Sequence, residues 1–183
     1  YDSLNRLITT TFADGTTNVA EYDKDSNLVR FTDNNGSAIT NAYDAINRLT
    51  SRTIARSTTN NVQGTTSQAF EYDGLSRLTR ATDNNSPDTT QDDATVERKY
   101  DSLGRLVEEI QNGKVVSYNW TQAGNPVDLT YPNSRKISYT LDKLNRLRTI
   151  ANEGGTTPLV SYDYIAGRVI EKSYGNGTKL TML

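Results

Sequence analysis

One heptapeptide decides most of what this chain can become. YDSLNRL begins at Tyr1, and variants follow at Tyr22 (YDKDSNL), Tyr43 (YDAINRL), Tyr72 (YDGLSRL) and Tyr100 (YDSLGRL). Looser copies start at Trp120, Leu141 and Tyr164, the last one residue short before its glycine. Successive starts are separated by 21, 21, 29, 28, 20, 21 and 23 residues. A fixed period in this range is the signature of a repeat array, in which each unit buries its apolar surface only against its neighbours.

The letters specify a reverse bend. Asp2, Asp23, Asp44, Asp73, Asp101 and Asp142 occupy one position. An aspartate opening a type I turn accepts hydrogen bonds from the amides that follow. Three residues on stand Asn5, Ser26, Asn47, Ser76, Gly104, Gly124, Asn145 and Gly167. Gly and Asn tolerate positive φ there, which predicts a type I turn closed by a left-handed residue, the common three-residue hairpin with a bulge. Ser26 and Ser76 are the weak members, expected to be strained or closed differently. The returning strand opens with Arg6, Arg48, Arg77, Arg105, Arg146 and Arg168, replaced by asparagine at Asn27 and Asn125. A ladder of arginines lying over tyrosines across each hairpin explains this position more simply than a row of anion sites.

A second class of bend separates the copies: FADGTT, DNNGSA, QNGKVV, YPNSRK, NEGGTT and YGNGTK. Asp-Gly and Asn-Gly pairs of this kind are strong hairpin signals. The strands beyond alternate: Val116, Tyr118 and Trp120 share one face, as do Ile137, Tyr139 and Leu141. Each copy therefore encodes two antiparallel strands and two tight bends, with no 3.6-residue periodicity. The expectation is an all-β fold, an antiparallel hairpin array forming one continuous, spiralling sheet with essentially no helix. Residues 1–183 form about eight repeats, read as a fragment of a larger protein. Two polar stretches, near 55–69 and 84–95, lengthen the third and fourth intervals and are read as loops or longer hairpins.

Composition narrows the chemistry. The chain contains no Cys and no His, which removes thiolate metal sites, disulfides and the commonest general base near neutral pH. Net charge is -2 with 23% charged residues, too balanced for a nucleic-acid surface or a disordered polyelectrolyte. No apolar run is long enough for a membrane-spanning helix. Eleven tyrosines suit half-buried strands whose hydroxyls stay wet.

With YDSLGRL, YDAINRL, LDKLNRL, YPNSRKISYTLD and SYGNGTKLTML quoted, the chain resembles the YD-repeat (RHS-repeat) family of bacterial RHS proteins, toxin-complex shell subunits and teneurins. The resemblance implies a β-strip wound into a hollow shell, which in the bacterial proteins encloses a toxic polypeptide. It also implies an exported location, extracellular or at the cell surface of a bacterium. The partners it implies are neighbouring repeats of the same or identical chains and an enclosed polypeptide.

Function by residue type points to structure. The recurrent aspartates are accounted for by their bends rather than paired as a hydrolase would need, so no catalytic residue is assigned. DNNG, DNNSPD and QDDAT lack calcium-loop spacing, so no metal or cofactor is assigned. The alternative to a wall is a carbohydrate-binding surface of an adhesin, with Tyr118, Trp120 and Tyr139 as its contacts.

Overall fold

The computed structural model describes residues 1–57, 64–86 and 93–182. Among these the chain is all-β, with sixteen strands and no helix: β1 (Thr9–Thr11), β2 (Thr17–Tyr22), β3 (Leu28–Thr32), β4 (Ala38–Tyr43), β5 (Leu49–Ala55), β6 (Gly64–Tyr72), β7 (Leu78–Ser86), β8 (Ala94–Tyr100), β9 (Leu106–Gln111), β10 (Lys114–Trp120), β11 (Pro126–Thr130), β12 (Lys136–Leu141), β13 (Leu147–Asn152), β14 (Val160–Ile165), β15 (Arg168–Tyr174) and β16 (Lys179–Thr181). Two compact units, Tyr1–Glu97 and Arg98–Leu183, divide the chain within β8.

In the first unit each strand from β1 onward pairs antiparallel with the next, ending on the opening residues of β8. The second unit repeats the scheme from β9 to β16. Such meanders follow from two-strand repeats joined at both ends by tight bends, which leave no chain for a crossover. The stretches near 55–69 and 84–95, read as loops or longer hairpins, contribute strand at both of their ends. β6 begins at Gly64, β7 runs to Ser86 and β8 begins at Ala94. Thr-rich sequence supports extended backbone as readily as loop, so these are long hairpins; their centres, 58–63 and 87–92, lie outside the described residues.

Directly opposed residues show how the faces divide. In the first unit Ala20, Phe31, Ile39 and Ile54 oppose one another in turn, as do Phe70, Ala81 and Val96. The other face carries Glu21, Arg30, Thr40 and Thr53. In the second unit Tyr118, Leu129 and Ile137 form one apolar row, and Tyr139, Ile150 and Val160 another. Among the described residues neither unit has a second layer, and the buried apolar residues are Ala38 in the first and Ile137 in the second. With so little enclosed core, the sheet must be held by bonds between neighbouring strands and repeats.

Candidate functional site

The candidate site is the row of Asp bends, built from five residues at a time. The position-i amide donates to the carbonyl four residues on, and the amide three residues on donates back, as in Asp44 N to Arg48 O (2.9 Å) and Asn47 N to Asp44 O (3.0 Å). The same pair of bonds closes the bends at Asp2, Asp23, Asp73, Asp101, Thr121 and Asp142. The fourth residue lies in the left-handed region: Asn5, Ser26, Asn47, Ser76 and Asn145 have φ of 59 to 68°, Gly104 82° and Gly124 85°. Ser26 and Ser76 thus adopt the common closure and carry its strain, since an L-residue there costs about 1–2 kcal/mol. Their hydroxyls accept from Arg6 and Arg48 at 3.2 Å.

The carboxylate of each bend is bonded through both of its oxygens. Asp44 Oδ1 accepts the Ile46 and Arg48 amides at 3.0 Å, and Oδ2 accepts Arg48 Nε at 2.6 Å. Asp2, Asp73, Asp101 and Asp142 repeat this set with Arg6, Arg77, Arg105 and Arg146. At Asp23 the asparagine side chain of Asn27 replaces the guanidinium at 2.9 Å. All six carboxyls are held below the usual aspartate range. For Asp2, Asp44 and Asp101 the largest cause is the amide of the arginine four residues on. For Asp23 and Asp142 it is the side chain at that position. For Asp73 burial pushes upward, and the Arg77 amide and guanidinium outweigh it.

Arg6, Arg48, Arg105 and Arg146 then reach the following repeat, and do not cover the tyrosine of their own hairpin as expected. Arg6 Nη1 donates to Asp23 O at 2.9 Å and its guanidinium lies 4.8 Å from the Tyr22 ring centre. Arg48 does the same to Asp73 O (3.1 Å) and Tyr72 (4.7 Å), and Arg105 to Thr121 O (2.6 Å) and Trp120 (5.9 Å). Arg146 bonds Ala166 O and lies 4.4 Å from the Tyr164 ring centre. Asn27, shorter, reaches Asn47 Oδ1 at 2.8 Å.

The aromatic residue returns the link. The hydroxyls of Tyr22, Tyr43, Tyr72 and Tyr164 donate to the carbonyls of Leu7, Leu28, Leu49 and Leu147 in the preceding repeat, at 3.3, 3.1, 2.9 and 2.8 Å. Trp120 uses its indole N–H on Leu106 O at 2.8 Å. These hydroxyls are bonded to protein, and a register shift falls just before each ring. Shifts fall at Glu21/Tyr22, Ala42/Tyr43, Glu71/Tyr72, Asn119/Trp120 and Asp163/Tyr164. Nothing in the spacing distinguished a tyrosine's own arginine from the preceding one.

The outlying positions differ. Tyr1 precedes the first bend and is 76% exposed. Tyr100 ends β8. In the short copy Ile165 stands where aspartate would, and Arg168 pairs with it at the start of β15. The positive φ falls on Ala166 (50°), not on Gly167, because losing one residue reduces the loop to two. Tyr118, Trp120 and Tyr139 are half-buried, the first two in β10 and the third in β12. Burial pushes the Tyr118 and Tyr139 phenols upward. Among the described residues no three acidic side chains converge as metal ligands, and no helix is long and apolar enough to cross a membrane.

Residues 22–59 match the family model described as RHS Repeat. No curated protein sequence matches the chain. Among solved structures, one of TcdB2-TccC3 aligns at 13% identity with a TM-score of 0.38, over 95% of this chain and 12% of that one. The TcdB2-TccC3-TEV structure aligns at 13% identity and 0.34, over 91% and 12%. The Photorhabdus luminescens Tc holotoxin pore aligns at 14% and 0.37, over 95% and 12%. The chain thus spans about an eighth of the length of these neighbours. Over residues 22–59, then, this chain is similar to the RHS repeat.

Proposed function

We propose that the chain is a stretch of non-catalytic wall in an exported bacterial RHS-repeat protein, extracellular or at the cell surface. Its sheet acts as a barrier around an enclosed polypeptide, and its nearest partners are further repeats. The observation that carries this reading is where the recurrent polar groups point. Each aspartate is bonded through both oxygens within its own bend, and Arg6, Arg48, Arg105 and Arg146 are bonded to the repeat that follows. Side chains occupied in this way fix the register of a sheet and leave little to bind or activate a substrate. Tyr118 and Tyr139 stand in apolar rows beside Leu129 and Ile150, which supports packing over sugar stacking.

The test is a glycan array together with a panel of ester, glycoside and peptide substrates, using the purified chain. The wall reading expects no saturable binding and no turnover. A glycan bound by the chain and lost on Tyr118→Ala or Tyr139→Ala would replace it with the carbohydrate reading.

A further inference from the structure

Asn27 interrupts the bend arginines of the first unit, and the interruption leaves a space. Arg6 and Arg48 each do three things. They bond their own aspartate through Nε, donate through Nη1 to the carbonyl of the next bend, and lie over the aromatic ring before it. Asn27 does the first, its Nδ2 donating to Asp23 Oδ2 at 2.9 Å. The same amide reaches Asn47 Oδ1 at 2.8 Å, but an asparagine side chain stops well short of where the outer nitrogens of a guanidinium would lie.

Two groups therefore lack the partner that their counterparts have. Asp44 O accepts the Asn47 amide at 3.0 Å, whereas Asp23 O and Asp73 O each accept a bend amide and an arginine together. Among the described residues no cation lies over the Tyr43 ring, whereas Tyr22 and Tyr72 carry guanidiniums at 4.8 and 4.7 Å. The Tyr43 ring is anchored all the same, its hydroxyl donating to Leu28 O at 3.1 Å. Beside these groups lies a cleft of about 450 Å³ whose lining includes Asp23, Asp25, Asn27, Tyr43, Asp44 and Asn47. Arg48 neutralises Asp44 at 2.6 Å, but the Asp23 carboxylate is held by amides and keeps its charge for the cleft. Lys24, at the rim, is 89% exposed and 3.7 Å from Asp25.

The second unit shows that an asparagine alone does not make such a place. Asn125 holds the same position in its bend, but Thr121 replaces the aspartate and Leu141 replaces the next ring. Neither a carboxylate nor a stacking face is on offer there.

We infer that the cleft between Asp23, Tyr43 and Asp44 binds a guanidinium group, stacked on Tyr43 and donating to Asp44 O, carried by an arginine side chain of a polypeptide or by a free guanidino compound. The neighbouring bends already hold a flat, delocalised cation with the same carboxylate, carbonyl and ring. An ammonium is more strongly hydrated and cannot present the same planar fork. The site goes beyond the wall reading and does not depend on it.

The test is a titration of the whole chain, followed by NMR at the Tyr43 ring and the Asp44–Asn47 amides. N-acetyl-arginine methylamide should shift these signals saturably, with a dissociation constant on the order of millimolar. N-acetyl-lysine methylamide should bind roughly threefold more weakly or worse. Tyr43→Leu should weaken arginine amide binding roughly two- to fivefold. Asn27→Arg supplies the missing group from within the chain, in a pattern that already folds at Arg6 and Arg48. It should weaken binding roughly tenfold or more while the strand signals persist. A short alanine peptide with one central arginine separates the two sources, and either result supports the site. Binding tighter than the amide assigns it to a polypeptide; binding no tighter assigns it to a free guanidino compound. Absence of saturable shifts at Tyr43, equal binding of the lysine amide, or binding unchanged by Asn27→Arg would each overturn the inference. None of these results bears on glycan binding or turnover, so the wall reading stands or fails separately.

Discussion

The link between Arg48 and Tyr72 can be measured across the boundary of two repeats. Arg48 has its guanidinium 4.7 Å from the Tyr72 ring centre, with its side chain 25% exposed. At that exposure stacking contributes about 0.5–1 kcal/mol. The Tyr72 hydroxyl bond to Leu49 O, 2.9 Å long, adds about 1 kcal/mol of its own. Arg48→Met, Tyr72→Leu and the double variant form a thermodynamic cycle whose coupling term isolates the stack. Arrays held by nearest-neighbour contacts need not unfold as one unit, so a global melt is the wrong assay. Native-state hydrogen exchange of peptides covering the Asp73 bend reads the local free energy instead. The expected coupling is about 0.5–1 kcal/mol, which is roughly a two- to fivefold departure from multiplicative exchange rates. Tyr72→Phe should lose the hydroxyl bond and keep the coupling to Arg48. Coupling below about 0.3 kcal/mol, on the scale of additivity between independent sites, would refute the reasoning.

Other outcomes follow from single features. Ala166→Gly relieves a residue held at φ 50° and should stabilise the β14–β15 hairpin by about 0.5–1 kcal/mol, read as slower exchange over residues 160–174. Gly113→Ala meets open space but forces alanine to φ 75°, and should destabilise the β9–β10 hairpin by about 1 kcal/mol in the same assay. The depressed carboxyls set the acid response. Their folded pKa values lie below the unfolded value near 3.9, so their contribution is full above it and is lost as pH falls through the folded values. Exchange protection across the Asp44 and Asp142 bends should therefore fall below about pH 4, and the fall should shrink in a variant with Asp44→Asn and Asp142→Asn.

What could be read from the sequence was local. A type I turn closed by a left-handed residue is decided within five residues, so Asp44, Asn47 and Arg48 announce their bend without help from the rest of the chain. Where the chain departs from that pattern the cause is equally local: the Tyr164 copy has one residue fewer, and the positive φ moves from glycine to Ala166. The links between repeats were not legible. Arg48 lies as close in sequence to Tyr43 as any pairing rule could ask, yet stacks on Tyr72, twenty-four residues away. That choice depends on the register shift before each aromatic and on which strand lies next door, and neither is encoded within one copy. The choice between loop and long hairpin stayed open for a different reason: Thr, Asn and Gln in β6 and β7 look like loop by polarity, while their backbone continues the ladder past where the apolar alternation stops.

The claim beneath all of this is directional: a bend arginine secures the repeat after its own. Arg105 and Trp120 allow the most direct test, because Trp120 is the chain's one tryptophan and Arg105 Nη1 lies 2.6 Å from Thr121 O. Arg105→Met should speed amide exchange across the Thr121–Asn125 bend several-fold and shift the tryptophan emission. Faster exchange confined to residues 101–105, with Trp120 emission unchanged, would contradict the account.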